Sequence, residues 1–247
     1  MKKDENGFVV MEKNEKLLLW IVIVPFFFLG SSLVYRVQYL LCGMDQSRVS
    51  LLATEFITDL LLFLMCLALF RKFLFESAKA LVKSKMGNGL MWAGIGVLMS
   101  YAFQFLIAIV FAVTFVLLKW DYTQIQLTYS NQGIINYYAN QNAFIVAICA
   151  VVLAPIAEEL VFRGGVFRVL RRWNVALAMI GSAAAFAFVH IMVALSNENK
   201  MGVIFAFCVY WAAGMAFAVL YEKKKNIILN IFMHTVINLI GVLRFLI

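Results

Sequence analysis

Residues 90–118 run LMWAGIGVLMSYAFQFLIAIVFAVTFVLL without one Asp, Glu, Lys or Arg. A helix on the surface of a water-soluble domain keeps a polar face, and this stretch has none to offer. Lipid reverses the requirement. A hydrocarbon core about 30 Å thick asks for about 20 apolar residues per crossing and leaves the backbone no partner but itself, so the stretch reads as a membrane helix. Similar segments recur at 17–35, 51–70, 143–173, 175–195, 201–220 and 227–247. The pattern predicts an all-α polytopic bundle of about seven transmembrane helices, within a range of six to eight, forming one integral-membrane domain over 1–247. With 64% hydrophobic and 14% charged residues in 247, no length remains for a second, soluble domain.

The charge is basic, 21 Lys and Arg against 13 Asp and Glu. The basic residues fall in clusters between apolar runs, which assigns them to orientation in a bilayer and not to nucleic acid. With the N-terminus in the cytoplasm, Lys2, Lys3, Lys13 and Lys16 share a side with Arg71, Lys72, Lys79, Lys83 and Lys85, with Arg163, Arg168, Arg171 and Arg172, and with Lys223, Lys224 and Lys225. Arg36, Arg48, Lys119, Lys200 and Arg244 are left for the other side, where seven crossings also put the C-terminus. The first apolar run lacks a small-residue cleavage site and reads as a retained span. Cys42, Cys66, Cys149 and Cys208 are scattered, without the pairing of a zinc or redox motif, and read as reduced packing residues. Residues 120–142, rich in Tyr, Gln and Asn and free of Lys and Arg, read as a solvated outer loop. No internal repeat is visible, which argues against a transporter built from duplicated halves.

Ionisable residues inside apolar spans are costly, so each is a functional hypothesis. Glu158 and Glu159 project about 100° apart on a helix and cannot do the same work. Arg163 follows Glu159 by four residues, a spacing that neutralises that carboxylate and leaves Glu158 free to act as a general base. Pro155 removes the hydrogen bond to the Val151 carbonyl and can bend the helix just before them. The alternative is a helix-end salt-bridge network. The only two histidines lie in other spans: His190 follows Phe186 by four, and His234 belongs to a four-residue stripe of Asn226, Asn230, His234 and Asn238. Either histidine alone also fits a helix–helix hydrogen bond. Together the three spans supply a carboxylate base, an imidazole to share a water, and donors for an oxyanion. Glu55 and Asp59 read as a solvated end of the second span. The basic stretch from Arg163 to Arg172 also suits a belt of lipid headgroups.

Glu158-Glu159-x-x-x-Arg163, Phe186-x-x-x-His190 and His234-x-x-x-Asn238, in that order, resemble the three motifs of the CAAX protease and bacteriocin-processing (Abi) family of intramembrane glutamic proteases. The resemblance covers about 90 residues, from Pro155 to Gly241, within a motif-bearing core at about 143–247, and the earlier spans add nothing diagnostic to it. It implies hydrolysis of a peptide bond in a membrane-associated peptide or protein. Glu158 and His190 would activate water, His234 and Asn238 would hold the oxyanion, and Glu159 and Arg163 would support them. It implies no cofactor, and a setting in a bacterial plasma membrane, in peptide maturation, bacteriocin processing or self-immunity. Three other readings remain: a zinc protease with Glu158, His190 and His234 as ligands, although the His-Glu-x-x-His motif is missing; a non-catalytic peptide-binding immunity factor; and a proton-coupled transporter. Substrate-binding residues and oligomeric state have no sequence signal. At about 1.5 Å per residue, His190 lies about 22 Å into its span and His234 about 12 Å into its own, so a shared site needs a later start for the fifth span, a tilt, or both.

Overall fold

The computed structural model describes residues 4–5, 7–84, 86–120, 131–196 and 200–246. Among them the chain forms seven main helices: α1 (Lys13–Leu41), α2 (Leu51–Lys83), α3 (Met86–Leu118), α4 (Tyr137–Leu170), α5 (Val175–Ile191), α6 (Lys200–Lys224) and α7 (Ile227–Leu246). Five of these, α1 to α4 and α6, are long and apolar enough to cross a membrane, and α5 and α7 are shorter apolar helices. A 3-10 turn, Met192–Ser196, prolongs α5. This is the polytopic helical bundle that the hydropathy pattern predicts.

Helix starts follow local chemistry. Ser50 caps α2 by accepting the Ala53 amide at 3.2 Å, and Asn174 caps α5 by accepting the Ala176 amide at 2.6 Å. Along α2 the inward residues are Thr54, Thr58, Leu62, Cys66, Phe70, Phe73 and Ser77, a narrow stripe at helical spacing. That stripe continues past residue 70, and this is why α2 runs on to Lys83 although its hydropathy falls at Arg71. The buried face of α3 is small, at Gly89, Ala93, Gly96 and Ser100. A Cβ on Gly96 would lie 2.6 Å from Met233 Sδ, so this stripe lets α3 press against α7.

The molecule is built around α4. In its most apolar stretch 39% of residues are buried, against 6% in α3, and α2, α5 and α7 all pack on it. Both prolines of the chain follow a widened π turn: Leu19–Ile23 before Pro25 and Cys149–Leu153 before Pro155. A proline ring presses on the carbonyl four residues back and offers it no N–H, and a wider turn relieves the clash. In α4 the stranded carbonyls are taken up by α7. Thr235 Oγ1 donates to Val151 O at 3.1 Å, and Asn238 Nδ2 donates to Ala150 O at 2.7 Å.

Two expectations are corrected. Part of the stretch assigned to an outer loop is helical: a helix begins at Asn131 and breaks at Asn142, which is extended (φ −159°) and whose side chain accepts the Ile145 amide at 3.1 Å. Asn142 thus acts as a cap, and residues 121–130 of that stretch lie outside the described residues. Glu55 and Asp59 do not form a solvated helix end. Glu55 Oε1 accepts the Ser31 hydroxyl of α1 at 2.9 Å, and Asp59 faces Cys149 on the π turn of α4. The polar N-terminal segment also folds back: Phe8 and Met11 are buried, and Arg168 Nε donates to Val9 O at 2.8 Å. The cysteines are free, with Cys66 buried and the other three half-buried.

Candidate active site

In the second half of α4, Glu158 and Glu159 diverge as their helical angle requires. Glu159 is wholly buried, and its carboxylate is saturated. Oε1 accepts Arg163 Nη1 at 2.9 Å and His234 Nδ1 at 3.1 Å, while Oε2 accepts Asn230 Nδ2 at 3.3 Å. Arg163 is as deeply buried. Its other terminal nitrogen donates to Gly214 O at 3.0 Å, and its guanidinium lies between the rings of Phe186 and Phe217, 5.0 and 4.9 Å from their centroids. A buried charge persists only when it is paired and hydrogen-bonded, and this one is.

Glu158 is different. Its side chain is 14% exposed, and the buried Oε2 has no hydrogen-bond partner. His190 Nε2 lies 3.7 Å from this oxygen and His234 Nε2 lies 3.8 Å from it. Three helices therefore bring one free carboxylate oxygen and two imidazole nitrogens to a single point. The far side of each ring fixes its tautomer. His190 Nδ1 is 2.8 Å from Phe186 O, and a carbonyl only accepts, so Nδ1 carries the hydrogen. His234 Nδ1 carries one too, because it meets the Glu159 carboxylate at 3.1 Å. α5 begins at Val175, where the sequence puts it, so the two rings meet without a later start of that helix.

The structure thus brings Glu158, His190 and His234 together, with Glu159 and Arg163 directly behind them. Asn238 lies one turn beyond His234, with one amide hydrogen engaged by Ala150 O. Sequence reasoning did not assign Asn230, whose Nδ2 ties Glu159 to Phe217 O at 2.8 Å, although the asparagine stripe had marked that face of α7. It also passed over Tyr210, Gly214 and Phe217 of α6. An apolar helix gives no signal for them. Among the described residues no group of three His, Cys, Asp or Glu side chains is arranged to hold a metal ion.

No curated protein matches this chain, and neither does any solved structure. A family model does: that of the Rce1-like family, type II CAAX prenyl endopeptidase Rce1-like, over residues 140–240. The matched stretch contains Glu158, Glu159, Arg163, His190, His234 and Asn238, and α1 to α3 precede it. Residues 140–240 of this chain are thus similar to a family of membrane proteases, the CAAX prenyl endopeptidases.

Proposed function

We propose that the chain is an intramembrane endopeptidase in which Glu158 and His190 activate water for attack on a peptide bond of a membrane-associated peptide. The observation that carries this reading is the unpartnered Oε2 of Glu158 facing two imidazole Nε2 atoms at 3.7 and 3.8 Å.

Charge balance bounds the working state. Two carboxylates, Glu158 and Glu159, face one guanidinium, Arg163, so the buried group is neutral only if it holds one more proton. His234 lies between both carboxylates, and its ring can donate from Nε2 only when it holds that proton as well as the one on Nδ1. Glu158 is then an ionised base, His190 a neutral acceptor that orients water, and His234 Nε2–H a cationic donor.

In the reaction, water gives a proton to Glu158 while its oxygen bonds to the scissile carbonyl carbon. The carbonyl oxygen becomes an oxyanion, met by His234 Nε2–H and the second amide hydrogen of Asn238. As the C–N bond breaks, the proton on Glu158 passes to the leaving nitrogen, giving a carboxylic acid and an amine, and the acid's remaining proton then moves to the amine to leave a carboxylate and an ammonium. Glu159 holds His234 by Nδ1 and stabilises its charge. We take the setting to be a bacterial plasma membrane, with a role in peptide maturation, bacteriocin processing or self-immunity.

The test uses the purified chain in proteoliposomes with a pool of synthetic peptides, each carrying one hydrophobic segment. Glu158→Ala and His234→Ala should each abolish cleavage without loss of fold, and turnover should survive exhaustive chelation. Normal turnover in either variant overturns the reading. Loss on chelation with recovery on zinc would replace it by the metal-dependent one.

A further inference from the structure

α6 carries none of the three motifs, yet one of its faces touches both histidines and Arg163. Tyr210, Gly214 and Phe217 follow the i, i+4, i+7 spacing of a single helix face. The Tyr210 ring stacks on His190 with centroids 4.5 Å apart at 32°. The Phe217 ring stacks on His234 at 4.7 Å and 33°. Between them Gly214 accepts Arg163 through its carbonyl, and a Cβ there would meet Ala183 Cα of α5 at 2.9 Å. The absence of a side chain at 214 thus lets α6 approach α5 closely enough for the ring one turn away to reach His190.

Each imidazole is held on two sides. His190 is clasped between Phe186, 4.3 Å away, and Tyr210, with Nδ1 tied to Phe186 O. His234 is clasped between Phe186, 5.7 Å away and edge-on, and Phe217, with Nδ1 tied to Glu159. A hydrogen bond at Nδ1 fixes the tautomer and restrains χ2 at one edge of the ring, with some swing left within the angular tolerance of that bond. A flat neighbour removes that freedom, and neither Nε2 can stray from Glu158 Oε2.

We infer that Tyr210 and Phe217 are positioning residues for the two histidines, and that the Tyr210-x-x-x-Gly214-x-x-Phe217 face of α6 sets both imidazole planes. This deepens the catalytic reading above and rests on it for its meaning. Tyr210 acts through its ring. The stacking geometry needs no hydroxyl, so phenylalanine should replace it and leucine should not.

The chain has two histidines, so histidine labelled with 13C and 15N gives two imidazole spin systems in the full-length protein in nanodiscs. Tyr210→Leu should move and broaden the His190 Cε1–H resonance by removing the ring current and the restraint, with His234 unmoved as the internal check on folding. Tyr210→Phe should restore it, and Phe217→Leu should move His234. A His190 resonance unchanged in Tyr210→Leu overturns the inference, and so does Tyr210→Phe shifting it as far as Tyr210→Leu. On any pool peptide that wild type cleaves, Tyr210→Leu should lower kcat about tenfold or more at unchanged KM, with Tyr210→Phe near wild type. An equal kcat for Tyr210→Leu also overturns it. If wild type cleaves none, the catalytic reading fails, and the spectra still decide whether α6 sets the rings.

Discussion

Among the described residues Arg163 is the largest side chain with no exposed surface, and it never reaches the reacting atoms. Its guanidinium neutralises Glu159, which holds His234, which faces Glu158. Removing it strands a carboxylate in the driest part of the bundle. Arg163→Met should therefore cost about 3–5 kcal/mol of stability, and adding Glu159→Gln should return part of that by removing the stranded charge. Thermal unfolding of the three proteins in one detergent measures this. A melting temperature for Arg163→Met equal to wild type would show that Glu159 is not charged in the fold. These residues were legible because polar groups stand out in apolar spans, and lipid cannot explain them. Asn230 was half-legible, since its stripe was visible but its partner on α4 was not.

Close approach between helices decides which elements meet at the site. At Gly214 an added methyl would press on backbone of α5, whereas at Gly94 of α3 it would enter open space. Gly214→Ala should then lower stability and cut cleavage, while Gly94→Ala should leave activity intact and add about 0.5–1 kcal/mol from helix propensity. Unfolding and cleavage assays on the pair check it, and equal effects at the two positions would refute the packing argument. Hydropathy located the seven main helices but missed the polar helical stretch that begins at Asn131, and it cut α2 short because a helix leaving the bilayer keeps its periodicity after it loses its hydrophobicity. The aromatic face of α6 was not legible at all. Tyr210 and Phe217 are two among 9 Tyr and 23 Phe, and only a three-dimensional neighbour distinguishes them from lipid-facing rings.

Over the whole molecule, a buried α4 is surrounded by helices whose outer faces stay apolar, from Leu98 and Phe105 on α3 to Phe144 on α4 and Phe232 on α7. That surface suits lipid and keeps water away from the polar cluster, where electrostatic stabilisation is strongest. α5 alone is about 25 Å long and reaches across a bilayer core only with its 3-10 extension. If all seven helices cross, the termini lie on opposite faces. An N-terminal epitope should be digested by protease only in inverted vesicles and a C-terminal one only in spheroplasts; digestion of both from one side would contradict seven crossings. The chemistry itself is tested most directly by isotope transfer. The purified chain is incubated with hydrophobic-segment peptides in water enriched in oxygen-18, and the fragments are weighed by mass spectrometry. Wild type should give paired fragments with oxygen-18 in each new carboxylate, and Glu158→Gln should give none. Labelled fragments from Glu158→Gln at the wild-type rate would contradict the assignment of Glu158 as the base that activates water.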